Sequence, residues 1–262
     1  MICIGLIDQA LHPRVVSFLL LFYLGVLRHN MARNVFVALV AYFALAVGFS
    51  GLLIWTLSAQ PLFPFQPDNA AWSSAWLFTT VGDYYVSTFC LCGVILWTAG
   101  SREGTAWTLA CCLLGSPFAC AWVILRLWNY HSLACAQAGQ EQVFYKRAVF
   151  APLDVMPTSS VAFIAFYATL AVSFAALLAR TLSAQPLFPF QPDDAAWCSA
   201  WLFTTVGDYY VSTFCLCGVI LWTDGAVYGT AWTLACCLLG SPSACAWVIL
   251  RLCKHRTLAL SS

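Results

Sequence analysis

The sequence predicts an all-α, polytopic integral membrane protein made of two three-helix units. Three observations carry this. Of 262 residues, 62% are hydrophobic and 8% charged, whereas soluble domains carry about 25% charged residues. Apolar runs long enough to cross ~30 Å of hydrocarbon as helices recur along the chain. The chain also repeats itself: Thr181–Arg251 matches Thr56–Arg126 with 64 of 71 positions identical.

In chain order, residues 1–30 form an N-terminal extension. Its apolar run 15–27 reads as a short or tilted extra helix or as a targeting segment. The first unit occupies 31–127, with spans at 35–55, 71–97 and 105–125. The Pro-rich stretch TLSAQPLFPFQPDNA between the first two spans cannot be one helix, and Asp68 or Asn69 is the N-cap candidate for the second. The stretch TAGSREG is read as the turn before the third. Residues 128–157 are a polar linker, with room for a short interfacial helix near 140–150. The second unit fills 158–252, and 253–262 is a C-terminal tail.

Three spans per unit is an odd number. With a linker that does not cross, the second unit enters from the opposite side, which predicts an inverted-topology repeat. On that topology seven Lys and Arg residues (Arg28, Arg33, Arg102, Arg180, Arg251, Lys254, Arg256) share one side, and Arg126, Lys146 and Arg147 take the other, with Arg14 if 15–27 spans. The positive-inside rule then turns the side of Arg33 toward the cytosol or its equivalent. A formal net charge of +1 gives no basic surplus for nucleic acid. The expected partner is the lipid bilayer, and homo-oligomerisation is left open.

The segment WLFTTVGDYYVSTFCLCGVILW occurs unchanged at 76–97 and 201–222. Each copy holds one acid, Asp83 or Asp208, well inside an apolar run. A charge there costs at least ~2.5–3.5 kcal/mol on the insertion scale. Trp76, Thr80, Asp83, Ser87 and Cys90 recur at helical spacing and share one face. Their counterparts are Trp201, Thr205, Asp208, Ser212 and Cys215. Asp83, Asp208, Thr80, Thr205, Ser87, Ser212, Tyr84 and Tyr209 are therefore the candidate solute or proton path. Three readings compete: a protonatable or cation-binding carboxylate on a transport path, an interhelical anchor to Tyr42, Trp107 or backbone freed at a helix break, and a general acid/base pair; a non-catalytic structural subunit of a larger membrane assembly is also open. No HExxH, G-x-S-x-G, P-loop or GxGxxG motif supports an enzyme. With Trp76 and Trp97 as interface anchors, inversion places the two acids roughly 10 Å apart in depth.

The third span carries Gly115, Ser116 and Pro117, repeated as Gly240, Ser241 and Pro242, and is expected to bend there. Most of the fourteen cysteines lie inside apolar runs and read as small apolar residues. Metal or redox chemistry at Cys90 and Cys92, or at Cys111 and Cys112, is the alternative. It lacks nearby histidine and the usual zinc spacing, so no metal and no cofactor is expected.

The order of an apolar helix, a Pro-Phe loop, a T-x-x-D-[FY]-Y helix ending in Trp and a third helix with C-x-x-G-S resembles a plant and algal family of small membrane proteins, domain of unknown function 1475. Thr79, Thr80, Asp83, Tyr84, Tyr85, Trp97, Trp107, Cys112, Gly115 and Ser116 carry the match, with their partners 125 residues further on. Met31-Ala32-Arg33-Asn34 is similar to the family's usual start. The resemblance covers 31–127 and 158–252 and implies a multi-pass membrane fold, with no substrate. This chain departs from the pattern by its duplication, by Pro117 and Pro242, and by a shorter turn after the second helix. Arg102 and Glu103 keep a trace of that turn, where the second unit has Val227 and Tyr228.

Overall fold

The computed structural model describes residues 31–61, 74–135, 156–185 and 199–261. The apolar run 15–27, the proposed linker helix near 140–150 and residues 62–73 of the Pro-rich loop lie outside the described residues. Six helices are described: α1 (Met31–Ala59), α2 (Ala75–Leu114), α3 (Ser116–Tyr130), α4 (Met156–Ala184), α5 (Ala200–Leu239) and α6 (Ser241–His255). Among the described residues, four helices are long and apolar enough to cross a membrane: α1, α2, α4 and α5. These agree with an integral membrane protein.

α2 is not one rod. Gly100 leaves the helix at φ 77° and ψ −179°, dividing it into arms 75–99 and 101–114. That backbone region is open essentially to glycine alone. The expected seven-residue turn is thus reduced to one residue. The arms fold back on each other. A Cβ on Gly104 would stand 2.9 Å from Leu96 Cα. Tyr84 Oη donates to the carbonyl of Cys111 at 2.9 Å, and Tyr85 Oη to that of Cys112 at 3.4 Å. A second reversal follows at Gly115, with φ 85° and ψ −170°. Pro117 then sits in the first turn of α3, where its missing N–H costs nothing. α5 and α6 repeat this design at Gly225 and Gly240.

The expected third span is therefore two short helices, 101–114 and 116–130. At 1.5 Å per residue they rise ~21 and ~22 Å, too little to cross ~30 Å. The Gly-Ser-Pro motif reverses the chain where a bend was expected. The helix after the Pro-rich loop also begins later than expected. Ser74, and not Asp68 or Asn69, stands at its N-cap position, with no side-chain cap bond.

The contacts run between units. α1 lies antiparallel to the first arm of α5. Tyr42 Oη donates to the carbonyl of Phe214 at 3.1 Å, Thr56 Oγ1 meets Thr204 Oγ1 at 2.5 Å, and Trp201 Nε1 donates to the carbonyl of Gln60 at 3.0 Å. α4 lies against α2 in the same way, through Tyr167 to Phe89, Thr181 to Thr79, and Trp76 to Gln185. α3 runs parallel to the first arm of α5: the backbone N–H of Ser116 meets Asp208, Cys120 Sγ lies 3.6 Å from Cys215 Sγ, and the N–H of Cys135 donates to Thr223 Oγ1 at 2.9 Å. α6 follows α2 likewise, from Asp83 up to Thr98, which accepts from the N–H of Leu260 at 3.1 Å.

These contacts correct the inverted-repeat expectation. Cys135 and Leu260 pair as an isolated antiparallel bridge, so Thr98 and Thr223 sit at the same end of the molecule. The arms 75–99 and 200–224 therefore run parallel, and the pseudo-two-fold axis lies along them. The physical reason is parity. Each unit has four segments of alternating direction, because the third span is a hairpin.

The arms 75–99 and 200–224 form the centre. Leu91, Val94, Ile95, Leu216, Val219 and Ile220 are fully buried there. These are also the segments rich in Ser, Thr, Gly and Cys, which let membrane helices approach closely. At their crossing Ser87 meets Thr213 and Thr88 meets Ser212, each at 2.9 Å. α1 and α4, more uniformly apolar, lie outside and expose Phe36, Phe43, Ile54, Val161 and Val172.

Candidate functional site

Each aspartate reaches the hairpin tip of the other unit. Asp83 Oδ1 accepts the backbone N–H of Ser241 at 2.9 Å, and Asp208 Oδ1 accepts that of Ser116 at 2.8 Å. Ser116 and Ser241 open α3 and α6, so each carboxylate satisfies a first-turn donor and faces the positive end of a helix dipole. The fit is close. A Cβ on Gly240 would stand 3.2 Å from both Asp83 oxygens, and one on Gly115 would stand 3.3 and 3.4 Å from those of Asp208. The anchor reading named the backbone freed at the break as a partner, and this is the partner found, in the opposite unit. Tyr42 is not a partner of Asp83, since it bonds Phe214.

Each aspartate also borders its own cleft. One, of about 220 Å³, is lined by Trp76, Thr80, Asp83, Tyr209, Tyr210 and Gly240 among others. The other, of about 250 Å³, is lined by Leu53, Tyr84, Tyr85, Gly115 and Asp208 among others. Neither of these two clefts touches both acids. Because the units run parallel, the two carboxylates sit at matching levels, and the expected depth stagger is corrected.

The other expected site residues divide. Thr80 lines the first cleft, though its hydroxyl is returned to its own helix at the carbonyls of Trp76 and Leu77. Thr205 bonds Trp201 and Leu202 in the same way and lines neither cleft. Ser87 and Ser212 are spent on the helix crossing. Tyr84 and Tyr209 line clefts but donate to the carbonyls of Cys111 and Cys236, closing the α2 and α5 hairpins. Among the described residues, no group of three or more His, Cys, Asp or Glu side chains is placed to hold a metal ion.

Two side chains outside the expected solute or proton path also line the clefts. Tyr85 and Tyr210 give each cleft a second tyrosine. Their signal was the Asp-Tyr-Tyr order itself, whose two rings leave the helix about 100° apart.

Replacing Ser87 by Ala together with Thr88 by Val removes two interhelical bonds. Such bonds average ~0.6 kcal/mol in membranes, so a loss of about 1 kcal/mol is expected in an unfolding titration in mixed micelles. A loss several times larger would show that this crossing, and not the hairpin tips, holds the units together.

The chain matches no protein-family profile, no curated protein and no solved structure.

Proposed function

We propose that this is a multi-pass, non-enzymatic membrane protein that handles a small solute or ion at the two aspartate-lined clefts, by passive or proton-linked passage. The observation that carries the reading is that each intramembrane carboxylate is both a wall of a cleft and the latch on the hairpin tip opposite. A charged carboxylate holds the tip by its hydrogen bond and by the helix dipole. A proton or cation arriving from the cleft removes that charge and weakens the latch. Helical hairpins that enter a membrane and turn back are tolerated where protein or a cavity receives them, and here the receiving group is the aspartate. The proposal includes membership of both units in the plant and algal membrane-protein family they resemble.

A second reading rests on the same bonds: the aspartates serve as inter-unit anchors in a non-catalytic membrane subunit. The acid/base-pair reading has less support, because each acid borders a separate cleft.

Asp83→Asn with Asp208→Asn separates the first two readings. An amide oxygen still accepts the N–H of Ser241 or Ser116, so the pair is expected to fold and insert with little loss. Asp83→Ala leaves a buried N–H unpaired and should cost about 1–3 kcal/mol. Proton-dependent flux of monovalent cations into proteoliposomes is expected for the wild-type chain and is expected to vanish in the Asn pair. Wild-type protein that carries no proton or cation flux, with Ala variants that fall apart, would leave only the anchor reading.

A further inference from the structure

The parallel arrangement redistributes the charges. At the end of the molecule holding Thr98 and Thr223 lie the start of α1, both one-residue turns, the ends of α3 and α6, and the segments 131–135 and 257–261. Seven of the chain's Lys and Arg residues fall in the described segments. Six of them are placed at this end: Arg33, Arg102, Arg126, Arg251, Lys254 and Arg256. The seventh, Arg180, is level with the opposite end, one residue before Thr181, which bonds Thr79. The described acids at the basic end are Glu103 and Asp224, and Asp224 accepts from Trp247 Nε1 at 2.7 Å.

These cations divide by task. Arg126 Nη2 donates to the carbonyl of Ser261 at 2.7 Å, and its guanidinium lies 3.8 Å from the centroid of the Tyr130 ring. Arg251 is buried. Arg102, Lys254 and Arg256 are exposed. Around them Trp128, Tyr130 and Tyr228 are exposed too, the aromatic composition of a headgroup layer. Burial first, and then the neighbouring Arg251 and Lys254, lowers the His255 pKa from the usual histidine value, with Asp224 acting the other way.

We infer that this end is an anionic-lipid surface: Arg102, Lys254 and Arg256 engage acidic headgroups of the cytosolic leaflet, and residues 135 and 156, which flank the linker, and Ser261 lie on that side. The warrant is charge asymmetry: among the described residues six Lys and Arg positions lie at this end and one at the other, on short segments next to apolar helices, where the positive-inside bias acts. It does not depend on what the clefts bind.

The test uses the full chain with one epitope inserted in the linker and another after Ser262. In sealed cells both epitopes are expected to stay hidden from antibody until the membrane is permeabilised. Epitopes on opposite faces, as an inverted repeat demands, or both outside, would overturn the inference. A second measurement reads the lipid. In nanodiscs of mixed phosphatidylcholine and phosphatidylserine, the wild type should retain phosphatidylserine preferentially on delipidation. The variant Arg102→Gln, Lys254→Gln, Arg256→Gln should lose that preference while keeping its helical circular dichroism. Equal retention by wild type and variant would refute the headgroup contact.

Discussion

Gly115→Ala should be among the most damaging single substitutions in the first unit. At φ 85° and ψ −170° an L-residue pays about 1–3 kcal/mol in backbone strain. The new methyl would also meet Asp208, whose oxygens lie 3.3 and 3.4 Å from its ideal position. Gly100→Ala is the internal control. Its φ of 77° carries similar strain, but nothing lies within 4 Å of the added Cβ. Gly100→Ala should therefore cost the strain alone, and Gly115→Ala the strain plus a displaced latch. Unfolding titrations of the two variants in mixed micelles give the difference. Equal losses would show that the contact between the tip and Asp208 contributes nothing.

Gly93→Ala should be comparably severe for a different reason. Its backbone is ordinary helix, but an added Cβ would lie 2.1 Å from Tyr167 Oη. Tyr167 is 1% exposed and cannot swing away cheaply. Overpacking of this kind costs about 1–3 kcal/mol, and the bond from Tyr167 to the carbonyl of Phe89 is lost with it. Removing the hydroxyl separates the two effects. Tyr167→Phe alone should cost about 0.5–1.5 kcal/mol. In the Gly93→Ala background the same change should restore part of the stability, since the ring carbon lies further off, at 3.2 Å, a contact that is still tight. A double variant no more stable than Gly93→Ala would refute the clash. Gly218 and Tyr42 form the equivalent pair, and the same pattern is expected there.

The helices were legible because composition and run length determine them. Apolar α1 stands where the sequence placed a span, at 35–55, and the two aspartates were found by the cost of an acid in an apolar run. What was not legible was direction. Residues 105–125 have the length and apolarity of a span, and hydropathy does not distinguish a crossing helix from two half-length helices joined at Gly115. That one glycine changes the segment count from odd to even and turns the second unit over. Partnership was hidden for a related reason. Two units of nearly identical sequence give no hint whether Asp83 bonds Ser116 or Ser241. The answer depends on which unit's hairpin packs on which long helix.

The exchange of contacts between halves bears on how such a chain arises. The first helix of each half lies on the long helix of the other, and each acid closes the other's tip. One half alone would leave its acid and its hairpin tip unmatched, and a second copy of itself would supply both. The duplicated gene thus reads as a fused homodimer, in which the linker replaced a concentration-dependent encounter by a covalent tether. Once fused, the halves no longer need identical surfaces. Of the seven differences in the repeated block, four cluster at residues 99–103 and their counterparts 224–228. There Asp224 takes up Trp247, while Val227 and Tyr228 replace a charged pair. The long helices that carry the acids are unchanged between the halves over 76–97 and 201–222, while this turn and the outer helices α1 and α4 differ.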